Sequence, residues 1–155
     1  LFADMQVPDG GRVPIDRLIQ PRIEGEIALI LSADLTDPNM DEGGLIAAVG
    51  RAHAALEIVD SRIERWNIGF VDTVADNASS ALFALADAGV APEAFDPVGC
   101  RMTLCADDAV VSQGEGRACL GSPLVAALWL ARKMIAVGRP LRAGDVLMTG
   151  ALGPM

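Results

Sequence analysis

Two glutamates, Glu24 and Glu26, stand two residues apart at the head of an apolar run, in Gln-Pro-Arg-Ile-Glu-Gly-Glu-Ile-Ala-Leu-Ile-Leu at 20–31. The run at 27–31 is too short and too rich in Ile and Leu for a free-standing helix, so a buried strand is expected to open just after Pro21. In a strand, side chains i and i+2 share one face. Glu24 and Glu26 then point together toward the face of Ala28 and Ile30, and two carboxylates held side by side repel unless something neutralises them. A divalent cation with oxygen ligands does this. A solvated strand end carrying two free acids is the alternative that a bare Glu-x-Glu leaves open. A third acid, Glu57, lies among apolar neighbours in the β-rich segment Leu-Glu-Ile-Val-Asp-Ser-Arg at 56–62 and is the next candidate ligand.

Residues 66–80, Trp-Asn-Ile-Gly-Phe-Val-Asp-Thr-Val-Ala-Asp-Asn-Ala-Ser-Ser, bring Asp72, Asp76 and Ser79 into a stretch without Lys or Arg. Such a segment reads as a loop between packed elements, where sites are commonly built, or as turn chemistry in which Asp76 and Asn77 bond their own backbone. His53 is the one histidine of the chain. It falls on an expected helix and reads as a half-buried helix residue, because an oxygen-ligated hard cation does not call for imidazole.

Neighbouring elements must position these groups. Pro8, Pro14 and the turn residues Asp9, Gly10 and Gly11 mark a strand or loop pair near the start. After the Glu-x-Glu strand, 34–44 is a polar connection broken by Pro38. Asp41 then caps a helix in which Leu45, Ile46, Val49 and Ala52 recur at helical spacing to about residue 55. Residues 80–88 are apolar and Ala-rich, and 89–97 form a loop. Residues 102–104 and 109–111 flank Asp107 and Asp108 as a hairpin. The glycine-bearing loop that follows lacks phosphate-binding spacing. Ser122 caps a second helix with Pro123 at its first position; Leu124, Ala127, Leu128, Ala131 and Met134 give the apolar stripe, and Gly138 closes it. A last short strand covers 146–149 and ends at Gly150.

With 155 residues, 52% of them hydrophobic and 21% charged, the chain is expected to be a single domain with a sizeable core. A net charge of −9 with 12 scattered basic residues argues against a nucleic-acid partner and leaves a cation as a natural one. Cys100, Cys105 and Cys119 include no C-x2-C pair, so neither a disulfide framework nor a zinc knuckle is indicated, and a reducing cytoplasm is expected. No membrane span and no signal peptide are read. Opening on Leu1 and stopping just after a core strand, the chain reads as a piece with both ends missing.

Six stretches then run in order along the whole chain: Leu-Phe-Ala-Asp-Met at 1–5, Gln-Pro-Arg-Ile-Glu-Gly-Glu-Ile-Ala at 20–28, Ala-Leu-Glu-Ile-Val-Asp-Ser-Arg-Ile at 55–63, Phe-Val-Asp-Thr-Val-Ala-Asp-Asn-Ala-Ser at 70–79, Leu-Gly-Ser-Pro-Leu at 120–124 with Trp-Leu-Ala-Arg-Lys-Met at 129–134, and Met-Thr-Gly-Ala-Leu-Gly-Pro-Met at 148–155. Together they resemble the 2-hydroxypentadienoate hydratases (2-keto-4-pentenoate hydratases) of the fumarylacetoacetate hydrolase superfamily. The resemblance implies an α+β fold, a mixed β-roll flanked by helices, of which residues 1–155 are the central part. It implies Mg²⁺ or Mn²⁺ held by Glu24, Glu26 and Glu57.

The implied reaction is addition of water to 2-hydroxypenta-2,4-dienoate, giving 4-hydroxy-2-oxopentanoate in aromatic meta-cleavage catabolism. The implied partner is thus a small 2-hydroxy-dienoate or 2-oxo acid. Ser79 and Asp76 become catalytic candidates, Thr149 and Gly150 substrate-binding ones, and Asp60 with Arg62 an ion pair or part of the catalysis. A homo-oligomer is expected, with a related decarboxylase as an associated partner. Family members are longer at both ends, and their N-terminal part carries a Lys and an Asp in proton transfer. The triad is therefore expected here without the whole acid–base machinery. Gly25 departs from the usual Ala between the two glutamates.

Other readings are a 4-oxalocrotonate (2-oxo-3-hexenedioate) decarboxylase, which needs a pocket for a second carboxylate, and an acylpyruvate hydrolase, which needs a base for water. A non-catalytic partner subunit is the reading from a different class, and the intact triad argues against it.

Overall fold

Alternation along Arg22–Leu31, a strand of 10 residues, sends Ile27, Leu29 and Leu31 to one face and Ala28 to the other. The computed structural model describes residues 1–155. In chain order its regular elements are β1 (Gln6–Val7), β2 (Arg22–Leu31), α1 (Glu42–Ala48), β3 (Val49–Val59), α2 (Phe70–Ala75), β4 (Ser80–Leu85), β5 (Arg101–Ala106), β6 (Ala109–Glu115), α3 (Pro123–Ala136) and β7 (Val146–Met148). Five strands form one sheet in the order β1-β4-β3-β2-β7. Only β1 and β4 run parallel; the remaining neighbours are antiparallel. β5 and β6 form a separate hairpin. This is the expected α+β architecture, a mixed sheet with flanking helices.

The main core lies on the Ile27, Leu29 and Leu31 face, under Leu124, Ala127, Leu128 and Ala131 of α3 and Leu45 and Ala48 of α1. α3 starts as its sequence dictates, with Ser122 Oγ accepting from Leu124 N at 3.2 Å and Pro123 at the first position. Gly138, at φ 74°, ends it. A smaller cluster on the opposite face joins Ala28, Ala55, Phe83 and Leu85, with Ile30, Val146 and Met148 packed on it. The two glutamates of β2 head this second face.

Three expectations fail here, each for a physical reason. The helix expected to reach residue 55 stops at Ala48, and the chain passes straight into β3. Val49, Ala52, Ala55 and Ile58 are all buried and imitate a helical stripe, because β3 is covered on both sides: Ala52 belongs to the main core and Ala55 to the smaller cluster. His53 therefore stands on a strand, with Nδ1 2.8 Å from the Ala86 carbonyl oxygen. The loop expected at 66–80 contains α2, whose Phe70, Val71 and Val74 are exposed and give no core-facing period. Finally, residues 116–136 are long and apolar enough, by length and composition alone, to cross a membrane. The regular helix within them has 14 residues, about 21 Å long, and it closes the main core.

Candidate metal centre and its cavity

Strand pairing puts the acids together. Glu24 lies directly opposite Glu57 in the β2–β3 register, and Glu26 lies opposite Ala55. Opposed residues of an antiparallel pair share a face. One carboxylate oxygen from each of Glu24, Glu26 and Glu57 lies within 4.8 Å of the others. Glu26 is buried and the other two are half-buried.

Two bonds from distant segments aim these carboxylates. Gly150 N–H donates to Glu26 Oε2 at 2.8 Å, and Ser80 Oγ donates to Glu57 Oε1 at 2.6 Å. Gly150 reaches Glu26 from φ 108°, and a Cβ there would stand 3.2 Å from Cys119 Sγ, so only glycine fits without strain. Thr149 holds that turn: its N–H and Oγ1 both donate to the Ile27 carbonyl, at 3.1 and 2.8 Å.

The electrostatics describe an unbalanced site. Burial pushes the Glu26 carboxyl up to about 8, against the Gly150 N–H and with help from Glu57 and Glu24. Burial and then Glu57 likewise raise Glu24. The acids open on a cavity of about 460 Å³ whose 17 lining residues include no Lys, Arg or His. Val59, Trp66, Ile68, Leu130, Val146 and Met148 give it apolar walls. Three oxygen donors on a shared face, with no thiolate or imidazole among them, fit a hard divalent cation such as Mg²⁺ or Mn²⁺.

Ser79 and Asp76 come together beside this cavity. Ser79 lines it, but its hydroxyl donates to Asp76 Oδ2 at 2.9 Å. Asp76 also accepts from Arg62 N and Ser61 Oγ, at 3.2 and 3.4 Å, and pairs with Arg62 Nε at 2.5 Å. Burial acts to raise its carboxyl, yet the Arg62 N–H, the Ser79 hydroxyl and the Arg62 guanidinium outweigh it and leave Asp76 below the usual carboxylate range. Arg62 is thus not paired with the Asp60 side chain, which instead accepts N–H bonds from Ile19 and Gln20 at 2.9 and 2.7 Å. Of the two expected substrate-binding residues, Gly150 lines the cavity, whereas the Thr149 hydroxyl is turned into the sheet. Ser80 escaped the sequence reading. Its bond to Glu57 depends on the register irregularity between Ile58 and Val59, which no local pattern announces.

The model of the fumarylacetoacetate (FAA) hydrolase C-terminal family matches residues 2–154. The chain belongs to the fumarylacetoacetate hydrolase family. Its β-roll is shared with a solved structure 34% identical in sequence, 4-oxalocrotonate decarboxylase from Pseudomonas putida G7 complexed with magnesium and adipate, at a TM-score of 0.91 over 97% of this chain and 57% of that one. In sequence this family member is 57% identical over its whole length to 2-keto-4-pentenoate hydratase 1 of Dechloromonas aromatica (strain RCB). It is 56% identical to 2-keto-4-pentenoate hydratase of Burkholderia vietnamiensis (strain G4 / LMG 22486), again over its whole length. The chain spans 59% of the length of each of these two relatives.

Proposed function

We propose that this chain is the metal-binding part of a hydro-lyase that adds water to 2-hydroxypenta-2,4-dienoate (2-oxopent-4-enoate), giving 4-hydroxy-2-oxopentanoate. The observation that carries the reading is the cluster of Glu24, Glu26 and Glu57 in a chain 57% identical to a 2-keto-4-pentenoate hydratase. The three carboxylates would hold Mg²⁺ or Mn²⁺, which when bound supplies Lewis-acid stabilisation of enolate charge on a 2-oxo acid.

The chain's own residues do the rest. Gly150 and Ser80 keep Glu26 and Glu57 turned to one point, so little reorganisation accompanies binding. Val59, Trp66, Ile68 and Leu130 offer an apolar wall to a short unsaturated tail. Ser79 is the candidate to handle a proton on that wall, its hydroxyl oriented by Asp76. The partner is then a small 2-hydroxy-dienoate. A homo-oligomer, with a related decarboxylase as associate, fits the exposed Phe70, Val71 and Val74. A cytoplasmic setting fits three free cysteines.

A second reading, 4-oxalocrotonate decarboxylase, is favoured by the backbone match to that enzyme. One assay separates the two. Full-length protein with Mg²⁺ is expected to consume 2-hydroxypenta-2,4-dienoate, seen as loss of dienol absorbance, with EDTA or Glu24→Gln abolishing it. Release of CO2 from 2-oxo-3-hexenedioate without dienoate turnover would move the assignment to the decarboxylase.

A further inference from the structure

Asn77, Ala78 and Ser79 are three consecutive non-glycine residues in left-handed backbone, at φ 53°, 57° and 56°. L-residues disfavour this conformation, and of the three only Asn tolerates it well. Such a turn persists only where its surroundings over-determine it. Here one arginine does so. The Arg62 guanidinium pairs with the Asp76 carboxylate and donates to the carbonyl oxygens of Asp60, Asp76 and Ser80. It thus ties the segment leaving β3 to the segment entering β4. Asp76 completes the lock by accepting from the Ser79 hydroxyl, while Ser79 N–H bonds the Asp76 carbonyl at 2.9 Å and Asp60 N–H bonds the Ser79 carbonyl at 2.7 Å. The next residue is Ser80, whose hydroxyl holds Glu57.

We propose that Arg62 and Asp76 are positioning residues: their ion pair holds the left-handed turn at 77–79 so that the Ser80 hydroxyl fixes Glu57 for the metal. The inference rests on the metal reading of the triad. It gives Asp76 a supporting role in place of proton transfer, since its carboxylate is engaged by Arg62, Ser79 and Ser61 and is not among the residues lining the cavity. Partners of metal ligands typically change affinity 10–100-fold when removed, and a planar guanidinium joining several oxygens is not replaced by an ammonium.

The test is Mn²⁺ titration followed by electron paramagnetic resonance, on full-length wild type, Ser80→Ala, Asp76→Asn and the double variant. Arg132→Met serves as a control, since Arg132 bonds the Met40 carbonyl elsewhere in the fold. Each single variant is expected to bind Mn²⁺ about 10-fold more weakly or worse. The double variant should be no weaker than the weaker single one, because both changes break a single chain of contacts. Arg132→Met should bind as wild type even with a lowered melting temperature, and the residual turnover of Asp76→Asn should keep the shape of the wild-type pH profile. Wild-type affinity in either single variant, additive losses, or a lost limb of the pH profile in Asp76→Asn would each overturn the proposal. If Asp76→Asn does not fold, Arg62→Lys takes its place with the same expected loss and the same refutation. A wild-type protein that binds no Mn²⁺ overturns the metal reading and this inference together, and that failure appears before any variant is compared.

Discussion

Gly150 and Ala78 both adopt left-handed backbone, and they should answer substitution in opposite ways. At Gly150 the conformation aims an N–H at Glu26, and any Cβ would crowd Cys119. Gly150→Ala is expected to destabilise by about 1–3 kcal/mol and to weaken Mn²⁺ binding; thermal melting and a Mn²⁺ titration would read both. Ala78, at φ 57°, already carries a Cβ where the backbone prefers none. Ala78→Gly is therefore expected to raise stability, by up to about 1 kcal/mol after the entropy of an added glycine. A melting temperature that falls would mean that the methyl group's contacts outweigh the strain. At this scale the sequence was informative for Glu24 and Glu26, because a strand's period of two puts them on one face. It was silent on Ser80 and on the left-handed turn, since Asn-Ala-Ser-Ser contains no glycine and the lock on it comes from Arg62.

Elements were legible where several local signals agreed. α3 has a cap, a proline at its first position, an apolar stripe and a closing glycine, and it forms over Pro123–Ala136. Ser122→Ala is expected to cost about 1 kcal/mol, a fall of about 2–4 °C in melting temperature for a chain of this size; an unchanged melt would mean the cap adds nothing to tertiary packing. β3 misled because burial on two faces gives a period near three. β4 and α2 escaped because Ala-rich strands and six-residue helices carry little pattern of their own. Gly25 belongs to this scale too. A Cβ there would meet Met102 of the hairpin, 2.9 Å from its Cγ and 3.0 Å from its Sδ, so most of that side chain must move. Gly25→Ala should then require the Met102 side chain to rotate from its inner bonds, and Gly25→Val, which cannot be met by that rotation alone, should loosen β5 from β2. Proteolysis of the hairpin would separate the two variants.

At the scale of the whole molecule, a metal held by the proposed triad would couple to protons and folding. Glu26 and Gly150 lie 124 positions apart in sequence, so their contact exists only in the folded chain. Folding raises Glu26 from 4.5 to about 8, with burial the main cause and no Lys, Arg or His among the lining residues to offset it. A metal-free folded protein therefore binds a proton that the unfolded chain releases between those values. The stability this contributes is full below pH 4.5 and is lost as pH rises through about 8. At roughly 1.4 kcal/mol per pKa unit the loss amounts to several kcal/mol. A divalent cation replaces that proton, so its effect has the opposite slope: stabilisation grows toward pH 8 and reaches about 2.7 kcal/mol when the ion is at a hundred times its dissociation constant. Melting curves in EDTA should fall in temperature across this window, and curves in saturating Mn²⁺ should separate increasingly from them. Glu26→Gln should flatten the EDTA series, leave the protein more stable than wild type near pH 8, and remove most of the response to Mn²⁺. If the variant's EDTA series tracks the wild type, the proton resides elsewhere; if the variant still responds fully to Mn²⁺, Glu26 is not a ligand.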